Sequence, residues 1–343
     1  MTRKPLLYVM GDAHFCNARD WDKESFGKFI KWFREDLPVN PHSELLQLGD
    51  LTEKALNEGA AMAMLTEWAG IALQRFDKVY IIGGNHDDKY DVMKDEEHYS
   101  SEYLAEMDDR IQVIYKETEL EVLDGALRIL VLPFRHVPGS LEGYYSEQLD
   151  SKYYDTEYDL ICGHTAIKDP ALPHIPGIDL SRFHYKHAAF GHIHDRSGPN
   201  ARFYTGSIMP FRKNEEKTAL PRCFKVYDSN GQEAEIELPI FRQYHVGVDK
   251  PEHKKNSTDV VHIYELNDPR KVVDYADEYY VKKSLATSAI NALAERLQTV
   301  EAKAKNSASL FDDDLTVLEK MCKEQGIALK RRTKAILKKL LSS

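Results

Sequence analysis

The chain has 343 residues, long enough for one main domain of about 200 to 250 residues with an appendage, and 42% hydrophobic with 30% charged residues excludes a disordered polymer. A formal net charge of −10 argues against non-specific nucleic-acid binding as the main activity, although carboxylates gathered around bound cations enter that tally as negative. No run approaches the roughly 20 apolar residues of a membrane span, and Met1 to Pro5 lacks a signal peptide's apolar stretch. Cys16, Cys162, Cys223 and Cys322 lie far apart without CxxC spacing, so a cytoplasmic protein with ordinary thiols and no membrane partner is expected.

In chain order, Leu6 to Val9, Leu45 to Leu48 and Val79 to Ile82 are short apolar runs that each end in a Gly- and Asp-bearing turn, as buried strands of an α/β sheet do. Between the last two, Ala61, Leu65, Trp68 and Ala72 recur at helical spacing and predict a connecting helix. Leu127 to Leu132, Leu160 to Cys162 and Ala188 to Phe190 extend the strand series, and the last two stop at Gly-His pairs. Cys223 to Tyr227, a turn at Ser229-Asn230-Gly231, and Ala234 to Leu238 then read as a β-hairpin.

Farther on, Val260 to Tyr264 reads as a strand, and Leu285, Ala289, Leu293, Leu297 and Val300 as one face of an amphipathic helix. Past a polar break at Asn306 to Ser309, a final helical segment starts with Asp312, Asp313 and Asp314 and ends rich in Lys and Arg. Its apolar face of Ile336, Leu337, Leu340 and Leu341 fits packing on its own domain, docking to a partner, or contact with DNA or a membrane surface.

The chemistry sits where the strands end. Asp12 and His14 lie two apart, so in extended chain a carboxylate and an imidazole converge on one cation, and His192 and His194 repeat the geometry with two imidazoles. Asp50, after the second run, has two oxygens and can bridge cations about 3.5 to 4 Å apart. Asn85 adds a neutral oxygen, His86 stands beside the metals without needing to bind them, and His164 supplies a further imidazole. His136, His174, His184 and His187 match no motif and are read as surface or hydrogen-bonded residues.

These five motifs, in this order, resemble the DxH, GD, GNH(D/E), GH and GHxH series of the calcineurin-like metallophosphoesterase superfamily. The resemblance implies a four-layer α-β-β-α sandwich over residues 1–240, followed by a small α+β capping module over 241–305 and a basic helical tail over 306–343. It implies two divalent metal ions, one held by Asp12, His14, Asp50 and His194 and the other by Asp50, Asn85, His164 and His192. His86 would steady or protonate the leaving group, and Asp87 would orient His86. A nitrogen and oxygen donor set without thiolate suits Mn²⁺, Fe or Zn²⁺.

Among branches of that superfamily the chain is most similar to the Mre11/SbcD DNA repair nucleases. The residues behind this are Gly84-Asn85-His86-Asp87, Leu132-Pro133-Phe134, Gly191-His192-Ile193-His194 and Tyr204-Thr205-Gly206-Ser207. It implies Mn²⁺, a DNA substrate, an SbcC/Rad50-like ATPase partner docked through the tail region, and a homodimer. Two places depart from that family, Phe15-Cys16 after the first histidine and Thr52-Glu53 after the second motif. A nucleotide phosphodiesterase or phosphatase, and a non-catalytic scaffold that keeps the motifs as folding staples, are the competing expectations.

Overall fold

The computed structural model describes residues 4–15, 20–53, 59–91, 96–99, 101–134, 149–169, 177–212, 215, 218–248, 260–266 and 278–281. Two units divide after Gln243, one of Met1–Gln243 and one of Tyr244–Ser343. In chain order the elements are β1 (Leu6–Met10), α1 (Asp20–Glu35), β2 (Glu44–Gln47), α2 (Gly59–Arg75), β3 (Lys78–Ile82), β4 (Asp88–Asp91), β5 (Glu96–Tyr99), α3 (Glu102–Met107) and β6 (Ile111–Ile114). There follow β7 (Thr118–Val122), β8 (Leu127–Leu132), β9 (Glu157–Gly163), β10 (His184–Phe190), β11 (Cys223–Asp228), β12 (Glu233–Glu237), β13 (Gln243–Val248), β14 (Val260–Leu266) and β15 (Glu278–Val281).

The first unit is built on two sheets. One runs β12-β11-β1-β2-β3-β6, with β1, β2, β3 and β6 parallel and the β11–β12 hairpin antiparallel on the β1 edge. The other runs β10-β9-β8-β7, with only the β7 edge antiparallel. Strands covered on both faces read as unbroken apolar runs, which is why β1, β2 and β3 are legible as such.

Between the sheets, Leu7, Val9, Leu46, Tyr80 and Ile82 meet Val122, Ile129, Val131, Leu160, Cys162 and Ala189. On the other face of the larger sheet, Tyr8, Met10, Leu45, Val79 and Ile81 pack under the helices. There α1 presents Phe26, Phe29, Ile30 and Phe33 at helical spacing, and α2 presents Leu65, Trp68, Ala69 and Ala72. Ring contacts link these layers, with Phe15–Phe26 at 5.3 Å, Phe29–Phe33 at 5.7 Å and Phe33–Trp68 at 6.2 Å between centroids. Each such pair adds about 0.5–1.5 kcal/mol beyond the area it buries.

The expected α/β sandwich is therefore present, with helices over the larger sheet. Over the outer face of the smaller sheet, the described residues form short 3-10 turns and extended segments. Tyr153, Ile167, Ile178, Leu180 and Phe183 close that face against Leu130, Leu132, Ile161 and Phe190.

In the second unit β13, β14 and β15 form one sheet, with β14 and β15 parallel. The helix expected over 285–300 and the basic tail over 306–343 lie outside the described residues. No helix among the described residues is long and apolar enough to cross a membrane.

Candidate metal centre

Parallel strands of an open sheet present their carboxyl ends together, and the crevice beyond them is where such sheets bind ligands. Here β1 ends at Asp12-Ala13-His14, β2 at Gly49-Asp50, β3 at Gly84-Asn85-His86-Asp87, β9 at Gly163-His164, and β10 runs into Gly191-His192-Ile193-His194. The loops are laced together by backbone bonds. His14 N donates to the Asp50 carbonyl at 2.9 Å, His164 N to that of Leu132 at 3.0 Å, and Gly191 N to that of Gly163 at 3.0 Å.

Close approach dictates the glycines beside the acids. A Cβ on Gly84 would stand 2.1 Å from the Asp50 backbone nitrogen, and one on Gly49, whose φ is +92°, would stand 2.4 Å from His164 Nδ1. Strain is stored next to them. His14 (φ 48°), Asp50 (φ 48°) and His192 (φ 75°) all occupy the left-handed region, which for side chains of this kind is sparsely populated and costs of order 1–3 kcal/mol each. The surroundings over-determine them, as where the His192 amide donates to both Asp12 carboxylate oxygens at 3.1 and 3.0 Å.

The sequence-predicted ligands gather in two groups that meet at Asp50. Asp12, His14, Asp50 and His194 each offer a ligand atom, and these atoms lie within 4.8 Å of one another. His14 Nε2 is 2.9 Å from His194 Nε2 and 3.5 Å from Asp50 Oδ2, and His194 Nε2 is 3.5 Å from Asp12 Oδ2. In the other group Asn85 Oδ1 is 3.0 Å from His164 Nε2 and 2.9 Å from His192 Nδ1. Asp50 Oδ2 also stands 3.2 Å from His164 Nε2, so a single oxygen faces both groups. Phe211 backs His14 and His194 at 5.0 and 5.8 Å, and Phe134 backs His164 and His192 at 6.3 and 6.1 Å.

The outer nitrogen of each ring shows which atom is offered inward. His14 Nδ1 lies 2.9 Å from Glu53 Oε2, His194 Nδ1 is 3.0 Å from Glu215 Oε1, and His164 Nδ1 is 2.7 Å from the Leu48 carbonyl. Each partner favours a proton on Nδ1 and leaves the Nε2 lone pair pointing into the cluster. His192 is turned the other way, with Nδ1 inward. Two neutral imidazoles cannot stand Nε2 to Nε2 at 2.9 Å unless a proton or a cation lies between them.

Charge among these side chains follows the same logic. Burial opposes a charge on His14, yet Glu53, Asp50 and Asp12 outweigh it and hold its pKa up at about 9. Burial is likewise outweighed at His164, where Asp50 and Asp12 raise the pKa to about 9. Burial and the neighbouring His164 push His192 down to about 3. Burial raises Asp12, whereas the imidazoles of His164, His14 and His86 draw Asp50 far below the usual carboxylate range despite its burial. The donor set of carboxylates, imidazoles and one amide oxygen fits two divalent ions.

His86 stands at the edge. Its amide donates to Asp50 Oδ1 at 2.7 Å, and its ring remains partly exposed with Nδ1 2.7 Å from the Glu53 carbonyl oxygen. That contact leaves Nε2 for a group entering the cleft. The expected orienting partner, Asp87, is placed differently. Its buried carboxylate accepts from the amides of Leu51 at 3.1 Å, Thr52 at 2.8 Å and Gly84 at 3.1 Å, and from the Thr52 hydroxyl at 3.1 Å. Asp87 therefore clamps the β2 loop to the β3 loop, and the Glu53 carbonyl is what meets the His86 ring.

The two departures from the nuclease pattern acquire uses. Phe15 is buried in the aromatic core against Phe26, Phe29 and Trp68, and it pairs with Thr52 across the two loops. Thr52 and Glu53 serve Asp87 and His14. Glu53 and Glu215 are the site residues that sequence reasoning missed, since neither lies in a ligand motif. Of the unassigned histidines, His187 pairs with Glu233 at 3.1 Å and His184 is exposed, while His136 and His174 lie outside the described residues. Cys162 and Cys223 are buried free thiols, and Cys16 and Cys322 lie outside the described residues.

Two sheets delivering carboxylates and imidazoles to one crevice define a hydrolase of the metal-dependent phosphoesterase class. The family model of the calcineurin-like phosphoesterases matches residues 6–196, and the chain belongs to that family. No curated protein matches the chain. Among solved structures it is similar to phosphopantetheinyl hydrolase from Mycobacterium tuberculosis, at 16% identity and a TM-score of 0.25, covering 41% of this chain and 48% of that one. It is also similar to a protein of unknown function from Aquifex aeolicus, at 16% identity and a TM-score of 0.27, covering 53% of this chain and 88% of that one. The chain thus spans about half the length of the first of these.

Proposed function

We propose that the protein is a two-metal phosphodiesterase that cuts DNA, with Mn²⁺ as its metal, and that it works as the nuclease subunit beside an SbcC/Rad50-like ATPase. The observation that carries the phosphodiesterase reading is Asp50, whose Oδ2 lies 3.5 Å from His14 and 3.2 Å from His164, each the Nε2 of a different ligand group. Asp12, His14, Asp50 and His194 would hold one ion, and Asp50, Asn85, His164 and His192 the other. Bound there, the pair supplies a water made nucleophilic near neutral pH and positive charge against the phosphate oxygens.

The chain's own residues do the rest. Phe134 and Phe211 pack against the imidazoles, and Asp50 faces both groups. His86 meets the departing oxygen with Nε2 while the Glu53 carbonyl holds Nδ1, so the proton it can give is on the cleft side only when the ring is charged.

What supports DNA over a small ester is the resemblance of the Gly84–Asp87, Leu132–Phe134 and Tyr204–Ser207 segments to the Mre11/SbcD nucleases. The last of these is also part of the site's frame, since Ile208 N donates to the Asp12 carbonyl at 2.9 Å and Ser207 N to that of His194 at 3.1 Å. A nucleotide phosphodiesterase is the second reading, favoured by the net charge of −10. Incubation with 3′-labelled duplex and single-stranded DNA, with and without Mn²⁺, decides between them. Mn²⁺-dependent shortening of either strand is expected, and cleavage of nucleotide diesters with both DNAs intact would exclude the nuclease.

A further inference from the structure

The two metal positions are not equivalent in charge. Around the first, Asp12 and Asp50 are carboxylates, and both imidazoles are backed by a further carboxylate, Glu53 behind His14 at 2.9 Å and Glu215 behind His194 at 3.0 Å. Glu215 is buried and fixed, its other oxygen accepting from the amides of Phe211 at 2.8 Å and Arg212 at 3.3 Å. Around the second position the ligating carboxylate among the described residues is the shared Asp50, and Asp12 of the first group stands 4.0 Å from the outer Nδ1 of His164. Asn85 is neutral, His164 is backed by the neutral Leu48 carbonyl, and His192 carries no carboxylate on its outer side among its described contacts.

A carboxylate behind a ligating imidazole fixes the ring and its tautomer and makes the inward nitrogen a stronger donor, an effect whose loss costs about 10- to 100-fold in metal affinity. We propose that Glu53 and Glu215 are positioning residues that make the Asp12/His14/Asp50/His194 position the tighter of the two, so that the centre loads one cation at a time, this position first. The proposal rests on the two-metal reading above and adds the order of filling and the residues that set it.

The test uses the full chain, stripped with a chelator and titrated with Mn²⁺ in equilibrium dialysis, with bound metal counted by mass spectrometry and Co²⁺ absorption reporting coordination. Wild type is expected to bind two ions whose dissociation constants differ by at least about tenfold. Glu215→Gln keeps an oxygen to accept from His194 Nδ1 and removes the charge, and Glu53→Gln removes the charge behind His14. Each is expected to weaken the tighter ion by about tenfold or more and leave the weaker one within about threefold. Asn85→Ala, which touches neither glutamate, is expected to weaken the second ion alone. Two ions of equal affinity in wild type, or glutamate variants that weaken both ions alike or neither, would overturn this proposal and leave the two-metal reading standing. Fewer than two ions in wild type would overturn both.

Discussion

On the two-metal reading, cations entering this centre would displace protons from His14 and His164, and that exchange can be counted. His14 and His164 titrate at about 9, against 6.5 for an unperturbed imidazole. A raised folded pKa contributes stability that is fully present below 6.5 and is lost as the pH climbs through 9. Metal binding runs the other way, because it needs the neutral ring. At pH 7 each ring sits about two pH units below its pKa, so freeing it costs roughly 3 kcal/mol. Apparent affinity is therefore expected to rise by about tenfold per pH unit for each displaced proton between pH 7 and 9, and to flatten above that. Isothermal titration calorimetry with Mn²⁺ in two buffers of equal pH and different ionisation enthalpy counts those protons. About two should leave on saturation at pH 7 and almost none above pH 10. Release of none at pH 7 would show that His14 and His164 are already neutral, and the electrostatic account of the cluster would be wrong.

Four substitutions probe separate layers of the molecule. His86→Ala is expected to retain both ions by mass spectrometry and to lose about 10²- to 10⁴-fold in turnover, the usual share of a proton-transferring group, with unchanged turnover refuting its role. Asp87→Ala leaves the Leu51, Thr52 and Gly84 amides without their acceptor, and is expected to cost about 3 kcal/mol or more in thermal unfolding, more than a surface change would. Gly84→Ala sets a methyl 2.1 Å from backbone that cannot retreat, so a loss above about 4 kcal/mol and failure to retain either ion in dialysis are expected. Phe33→Ala opens a cavity between α1, α2 and the sheet, and should cost about 3–5 kcal/mol in denaturant unfolding while metal stoichiometry stays at wild type.

The candidate ligands were legible because the physics that places them is local to the chain. A strand buried on both faces must be a short apolar run, its carboxyl end must turn, and glycine is the residue that lets two such ends touch, so Gly49, Gly84, Gly163 and Gly191 announce the site one motif at a time. The helix α1 went unassigned although Phe26, Phe29, Ile30 and Phe33 carry its period, because that period runs for only about two turns. The edge strand β7 alternates Glu119 and Glu121 with Leu120 and Val122, too short a pattern to stand out.

What no local pattern could show is the outer layer of the metal centre. Glu215 reaches His194 from 21 residues away, and Glu53 reads in sequence only as a departure from a nuclease motif. Their carboxylates matter through a partner's outer nitrogen, and a position's neighbours in space are not written in its neighbours in sequence. The candidate ligands follow from strand ends, whereas the carboxylates behind their imidazoles are brought in by loop packing. Relatives that keep every ligand motif and exchange the residues at 53 and 215 should therefore share the chemistry and differ in how tightly, and in what order, they hold their metals.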